Sequence, residues 1–296
     1  MRFPPAGTVV ALWRYPVKSM RGEELPASAV GTSGLLGDRA YAVLDRATGL
    51  VASAKHPRKW PTLLACRAIF AEPPRPGAPP PPVWITLPDG TRLHSEQPDA
   101  DRILSRALGR DVALIAEAPP QAMREAERTP ADQPDVTPLI RREPLGGAAP
   151  PGTFFDYAPI HLLTTATLDA LHELYPEGHF DARRFRPNIL VSPAHGAAAF
   201  AENAWLEQTL LIGSGLRLRA IDPSPRCIVT TLPQWGLPRD PGILRTIAQS
   251  NAAASVTAAP GEIFHAVAGI YAGALGDGAV HVGDMLRLLG GPNNGQ

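Results

Sequence analysis

Thr8-Val9-Val10-Ala11-Leu12-Trp13-Arg14-Tyr15 is a run rich in β-branched and aromatic residues, halted by Pro16. It reads as a strand ended by a residue that has no N–H to pair. The same reading recurs along the chain. Gly31, Gly34 and Gly37 punctuate a turn before Ala40-Tyr41-Ala42-Val43-Leu44-Asp45, a second strand. Asp45-Arg46-Ala47-Thr48-Gly49 then turns it back into Leu50-Val51-Ala52-Ser53. Runs at 63–70 and 83–87 continue the series, and 160–163, 188–191, 209–212, 216–221, 227–231 and 285–289 resume it later, with 264–274 before the last of them. Helices are few. One spans 98–108 with Gly109 as its stop, one is capped by Thr165 with Leu168, Leu171 and Leu174 on its apolar face, and one covers 243–250. Strands without βαβ alternation predict a mainly β chain of the α+β class, built as a β-barrel.

The 296 residues divide at 117/118: an N-terminal β-rich region, 1–117, and a second domain, 118–296, whose start at 118–155 reads as a linker of Pro, Ala, Gly and charge. The proline-rich run from Pro73 to Pro82 cannot pair in a sheet and reads as an exposed loop. Basic and acidic residues balance at 28 each, which argues against a nucleic-acid partner. No apolar run is long enough to span a membrane, and the start resembles no signal peptide, so a cytoplasmic setting is expected. Two distant cysteines, Cys66 and Cys227, suggest no disulfide framework.

Ser224-Pro225-Arg226-Cys227-Ile228-Val229-Thr230-Thr231 places a cysteine beside an arginine. The positive charge favours a thiolate, which attacks electrophiles or binds soft metals; the other reading is a small buried hydrophobe on a strand. Lys18 and Ser19 follow a strand end, where they can grip a phosphate or merely be solvated. Arg39 in Gly37-Asp38-Arg39 can fork onto a phosphate or pair with Asp38. Arg183-Arg184-Phe185-Arg186-Pro187-Asn188 is either an anion cradle or a surface charge run, and Tyr271 in Gly269-Ile270-Tyr271 offers a phenol or fills a core. Zinc spacings, phosphate loops, dinucleotide fingerprints and serine-hydrolase elbows are missing from the sequence.

In this order, Tyr-Pro-Val-Lys-Ser, Gly-Asp-Arg, Arg-Phe-Arg-Pro-Asn, Arg-Cys-x-x-Thr-Thr and Gly-x-Tyr, the chain resembles MOSC-domain proteins, the molybdenum cofactor sulfurase C-terminal family. It is similar to the branch with an N-terminal β-barrel extension that includes the mitochondrial amidoxime-reducing component and bacterial relatives. The likeness runs from about residue 9 to 289. It implies a MOSC-type barrel and a molybdenum cofactor (Mo-molybdopterin), with Cys227 as protein ligand to the metal and catalytic thiolate. It also implies that Lys18, Ser19, Arg39, Thr164, Thr165, Arg186 and Tyr271 hold the cofactor. Pyridoxal phosphate binding is admitted at family level.

The activity so implied is a molybdenum-dependent oxidoreductase that reduces N-hydroxylated or N-oxide small molecules. Two cysteines cannot house an iron–sulfur cluster, so electrons are expected from a separate protein: ferredoxin-like, a flavin reductase or a cytochrome. The competing readings are a sulfur carrier that uses Cys227 as a persulfide, and a non-catalytic cofactor-binding protein. Two departures from the amidoxime reducers stand near the cysteine. Pro225 replaces a serine, and Leu232-Pro233-Gln234-Trp235-Gly236 replaces an aspartate-rich turn expected to line the substrate mouth.

Overall fold

The computed structural model describes residues 4–128 and 138–290. Seven strands close a barrel: β1 Pro5–Arg14, β2 Ile160–Thr164, β3 Ile189–Pro193, β4 Thr209–Ile212, β5 Leu216–Pro225, β6 Val267–Ala274 and β7 Met285–Leu288. The ring order is β3-β2-β6-β5-β4-β7-β1, and β1 pairs back onto β3 to complete it. Only β2 and β3 run parallel among these contacts. The mainly β, barrel-containing class expected from the sequence is the class observed.

The barrel is filled by side chains that point inward from every strand, including Val9, Leu12, Ile160, Leu162, Ile189, Val191, Leu210, Leu218, Ile270 and Leu286. A one-residue bulge between Val9 and Ala11 shifts the pairing of β1 against β3. Because strand side chains alternate, the extra residue flips the parity. Val9 and Leu12 therefore face the interior, while Ala11, Trp13 and Tyr15 face outward into a second core with Leu171, Phe185, Ile243 and Ile247. A third core, with Val17, Met20, Val43, Trp60, Leu63, Cys66, Ile85 and Leu104, belongs to the N-terminal lobe. The strand Ala27–Gly31 pairs with Gly278–His281, so the first residues of the chain are woven into its last.

Several local expectations differ from the fold. The segment Cys227 to Thr231 is no strand: β5 ends at Pro225, and Ile228–Thr231 is a 3-10 turn capped by Cys227. Thr164, not Thr165, caps its helix, Thr165–Leu174, by accepting from the Thr167 N–H. Leu171 is the buried leucine there, whereas Leu174 is 61% exposed. The stretch read as a linker contains a paired hairpin, Met123–Arg128 with Leu139–Pro144. Its strands face each other by charge, Arg124 opposite Glu143 and Glu125 opposite Arg142, so an apolar pattern does not reveal it. Pro73 to Pro82 forms no strand or helix, as expected. Among the described residues no helix is long and apolar enough to cross a membrane.

Candidate functional site

The barrel hands its first strand directly to the N-terminal lobe, and the junction is where the singled-out residues meet. Tyr15 N–H donates to Asp38 Oδ1 at 2.7 Å, and Arg39 N–H donates to the Tyr15 carbonyl at 2.8 Å. Asn188 Nδ2 donates to Asp38 Oδ2 at 2.8 Å and to the Trp13 carbonyl at 3.2 Å, while its Oδ1 accepts from the His161 N–H at 3.1 Å. Asp38 and Asn188 are buried, so this network is fully inside the protein. Satisfied buried polar networks fix one arrangement. Here the network binds Gly-Asp-Arg and Arg-Phe-Arg-Pro-Asn to the end of β1.

Around it lies a cavity of about 100 Å³ whose wall includes Lys18, Ser19, Arg39, Arg186, Cys227 and Tyr271. Ser19, Arg39 and Arg186 have φ of 65°, 48° and 55°. Left-handed backbone costs a non-glycine residue roughly 1 kcal/mol or more, and such strain gathers at functional sites. Gly269 (φ 84°) brings β6 against β2: a Cβ there would lie 2.4 Å from His161 Nε2. Only glycine permits that approach, which sets Tyr271 opposite His161 across the strands.

Thr164 and Thr165 do not join this group. The Thr164 hydroxyl donates to the buried Glu202 carboxylate at 2.6 Å, and Thr167 donates to the same carboxylate at 2.7 Å. These threonines hold the start of their helix, and neither lines the cavity. The three arginines of 183–186 also separate. Arg183 pairs with Asp181 at 2.5 Å. Arg184 is fully buried and donates to the carbonyls of His179, Thr230, Leu232 and Pro238, at 2.7 to 3.2 Å. It clamps the loop that follows Cys227. Arg186 alone of the three reaches the cavity, stacked 4.2 Å over the Tyr15 ring.

The wall carries five basic side chains, Lys18, Arg39, Lys55, Arg186 and Arg226, against the single carboxylate of Asp156. Asp156 accepts from Lys18 Nζ at 2.6 Å, Lys55 Nζ at 2.8 Å and Arg124 Nε at 2.9 Å. Burial opposes its ionisation, but Arg124, Lys18 and Lys55 hold it well below the usual carboxylate range. Burial pushes the Lys18 ammonium down to about 8, with Asp156 resisting, and burial lowers Arg186 to about 10. His161 is held well below its ordinary value by burial and by the Arg226 charge. Arg226 Nε and Arg186 Nη1 are buried donors with no acceptor among the described residues. Unused buried donors are costly. Such a cavity is built for an anion that supplies the missing acceptors.

Cys227 sits where β5 gives way to the 3-10 turn. Thr230 Oγ1 donates to the Cys227 carbonyl at 3.0 Å and Thr231 Oγ1 to that of Ile228 at 2.8 Å, so both hydroxyls of Arg-Cys-x-x-Thr-Thr brace the turn. The thiol is partly exposed and lines three adjoining cavities. Of the loop after it, Leu232 lines one of them. Trp235 instead stacks between Arg21 and Arg183, at 5.6 and 5.3 Å. Sequence reading gave no role of their own to Lys55, Asp156, Asn188 and His161: Asn188 was seen only as the end of its arginine run, and Asp156 falls just beyond the stretch read as a linker.

Residues 150–287 match the MOSC domain model, and residues 6–78 match the MOSC N-terminal beta barrel domain. Human mitochondrial amidoxime reducing component 2 is 30% identical over 245 residues, covering 78% of this chain and 68% of that protein. Mouse mitochondrial amidoxime-reducing component 1 is 27% identical over 301 residues, 98% of this chain and 84% of that one.

Proposed function

This chain belongs to the family of MOSC-domain proteins with an N-terminal MOSC β-barrel, and on that premise we propose that it is a molybdenum-cofactor-dependent oxidoreductase acting on N-hydroxylated or N-oxide small molecules. The observation that carries the reading is the excess of cations beside Cys227, with the buried Arg186 Nη1 lacking an acceptor. A pyranopterin phosphate is an anion with acceptor oxygens, and a thiolate is a soft ligand suited to molybdenum. The residues present therefore fit the group. Cys227 Sγ would ligate the metal, while Lys18, Ser19, Arg39, Arg186 and Tyr271 would hold the pterin. When bound, the cofactor supplies the two-electron chemistry that cleaves an N–O bond.

The protein's own part is to bind, orient and supply protons. Reduction of an N–OH group takes two electrons and two protons, breaks the N–O bond and releases the oxygen as water. Lys18 Nζ, brought down to about 8 and bonded to Asp156, can hold a proton at neutral pH within the cavity. Cys66 and Cys227 cannot furnish the four thiolates of an iron–sulfur cluster, so the electrons are assigned to a donor outside these 296 residues.

The test is metal analysis of protein expressed in a cofactor-competent host, with Cys227→Ser alongside. Near-stoichiometric molybdenum in the wild type, lost in the variant, is expected, followed by turnover of an amidoxime with a reduced donor. Wild-type protein without molybdenum would overturn the reading and redirect attention to a persulfide on Cys227.

A further inference from the structure

Tyr157 stands outside every motif that the sequence offers, yet its ring lines both the basic cavity and an adjoining one of about 330 Å³ that also reaches Cys227. The segment that carries it is pinned by backbone: the Gly146 N–H donates to the Phe155 carbonyl and the Ala148 N–H to the Tyr157 carbonyl, each at 2.9 Å. Gly147 lies against the ring, where a Cβ would fall 2.8 Å from Tyr157 Cδ2. The ring stands 5.5 Å from that of Tyr271, which is 6.0 Å from His161, and all three line the basic cavity.

The phenol is tied to a buried carboxylate. Asp222, fully buried on β5 and paired across the sheet with Tyr271, is met by the segment 255–258. Its carboxylate accepts from Ser255 Oγ at 3.1 Å, the Val256 N–H at 2.8 Å, the Ala258 N–H at 2.6 Å and Thr257 Oγ1 at 3.1 Å. An ionised carboxylate only accepts, so Thr257 spends its one hydroxyl proton on Asp222. The Tyr157 hydroxyl lies 2.6 Å from Thr257 Oγ1. With the threonine proton already committed, the phenol is the donor in that contact. Thr257 lies in the wall of neither cavity, so the Tyr157 proton is aimed elsewhere and its oxygen is left to accept. Burial and the Asp222 charge hold the phenol above its ordinary value, which keeps it neutral at physiological pH.

We infer that Tyr157 is a further residue that holds the cofactor, its oxygen accepting a ring N–H of the pterin, and that Asp222 positions it through Thr257. The inference rests on the reading of the site as one for a pterin cofactor. The cations of the wall supply donors for a phosphate, but a pterin ring also brings N–H donors, and a buried donor without an acceptor is costly. Asp156 already accepts from Lys18, Lys55 and Arg124. A second free carboxylate in the wall would repel the phosphate. A neutral phenol whose proton is drawn off to Thr257 supplies the acceptor without that charge.

The probe is 6-carboxypterin, a pterin ring that carries an anionic group, titrated into cofactor-free protein and followed by its own fluorescence. Tyr157→Phe should bind it about tenfold more weakly than wild type, the worth of one neutral hydrogen bond. Thr257→Val, which severs Asp222 from the phenol, should lose about threefold, and Thr257→Ser should restore wild-type affinity. Calorimetry with inorganic phosphate should give one affinity for all four proteins, a separation that a merely structural role would not produce. The same ranking is expected in the pterin and molybdenum retained after dialysis of loaded protein. Equal binding of 6-carboxypterin by wild type and Tyr157→Phe, no binding by wild type, or a parallel loss of phosphate affinity would overturn the inference. Wild type that arrives without molybdenum, yet binds 6-carboxypterin tenfold better than Tyr157→Phe, would sink the oxidoreductase reading and leave Tyr157 its role. Molybdenum-loaded protein that keeps its pterin equally well with Phe at 157 would do the reverse.

Discussion

Cys66 and Cys227 are the chain's only cysteines, and their surroundings have nothing in common. Cys66 lies wholly inside the N-terminal lobe, packed with Val17, Met20 and Leu63, with its thiol pushed up to about 11 by burial. Cys227 lies at a break in the barrel wall, partly exposed, with cavities on several sides. The difference is made by backbone, not by the residue. At Cys66 a 3-10 turn leads straight into a paired strand, Arg67–Phe70. At Cys227 a paired strand ends and a turn begins, which tips the side chain out of the wall. The same contrast separates Arg184 from Arg186, two positions apart: one spends its donors on loop carbonyls, the other keeps one unspent beside the cavity.

The sharpest way to break the comparison of cysteines is alkylation at pH 8 in native conditions. A thiol with a value near 11 is about 0.1% thiolate there, and thiolate is the reactive form. Cys227 should label more than about a hundredfold faster than Cys66, which should react only on unfolding; mass spectrometry of the peptides decides. Comparable rates would show that the lobe opens readily around Cys66.

The arginine pair comes next. Arg184→Ala leaves four carbonyls in the Thr230 to Pro238 loop and its surroundings short of a donor, and should cost roughly 3 kcal/mol in denaturant unfolding. Arg186→Ala should cost about 1 kcal/mol, since among the described residues its side chain makes no hydrogen bond and gives up only its stack on Tyr15, while molybdenum retention drops severalfold. If the two stability losses were equal, the division between brace and ligand grip would fail.

Lys18 offers a subtler probe. Its value in the folded protein is about 8 against 10.5 for an ordinary lysine. Between these values the unfolded chain binds a proton that the folded chain does not. Stability therefore rises with pH across that window. Wild-type protein without cofactor should gain stability relative to Lys18→Met from pH 8 to 10.5, read as the difference in denaturant midpoints, and a flat difference would count against the buried lysine. The smallest effect expected is that of Cys66→Ala, about 1 kcal/mol of stability and unchanged molybdenum content. A loss of metal there would show that the wrong cysteine was chosen.

What was legible in the sequence was what local chemistry encodes. Apolar runs gave away β1, β2, β4 and β7, and Gly109 stopped its helix in the left-handed conformation, φ 67°. The hairpin Met123–Arg128 with Leu139–Pro144 stayed hidden because Glu125 opposite Arg142 pairs by charge. The Cys227 segment misled because Ile228, Val229 and the two threonines favour strands, yet their hydroxyls found nearer partners in their own backbone and closed a turn.

From sequence alone came the residue types: a cysteine beside an arginine, a lysine–serine pair after a strand, an arginine two before an asparagine, and their order along the chain. Those types are sufficient to nominate an anion and a soft ligand, because charge and softness belong to side chains wherever they lie. Only the tertiary structure decided which of them meet. Whether Arg184 or Arg186 faces the cavity, whether Thr164 joins it, and whether Asp156 crosses to Lys18 depend on strand parity and on contacts between residues more than a hundred positions apart, as with Lys18 and Asp156. A single bulge in β1 shifts the faces of an entire strand, and no local pattern announces where it falls.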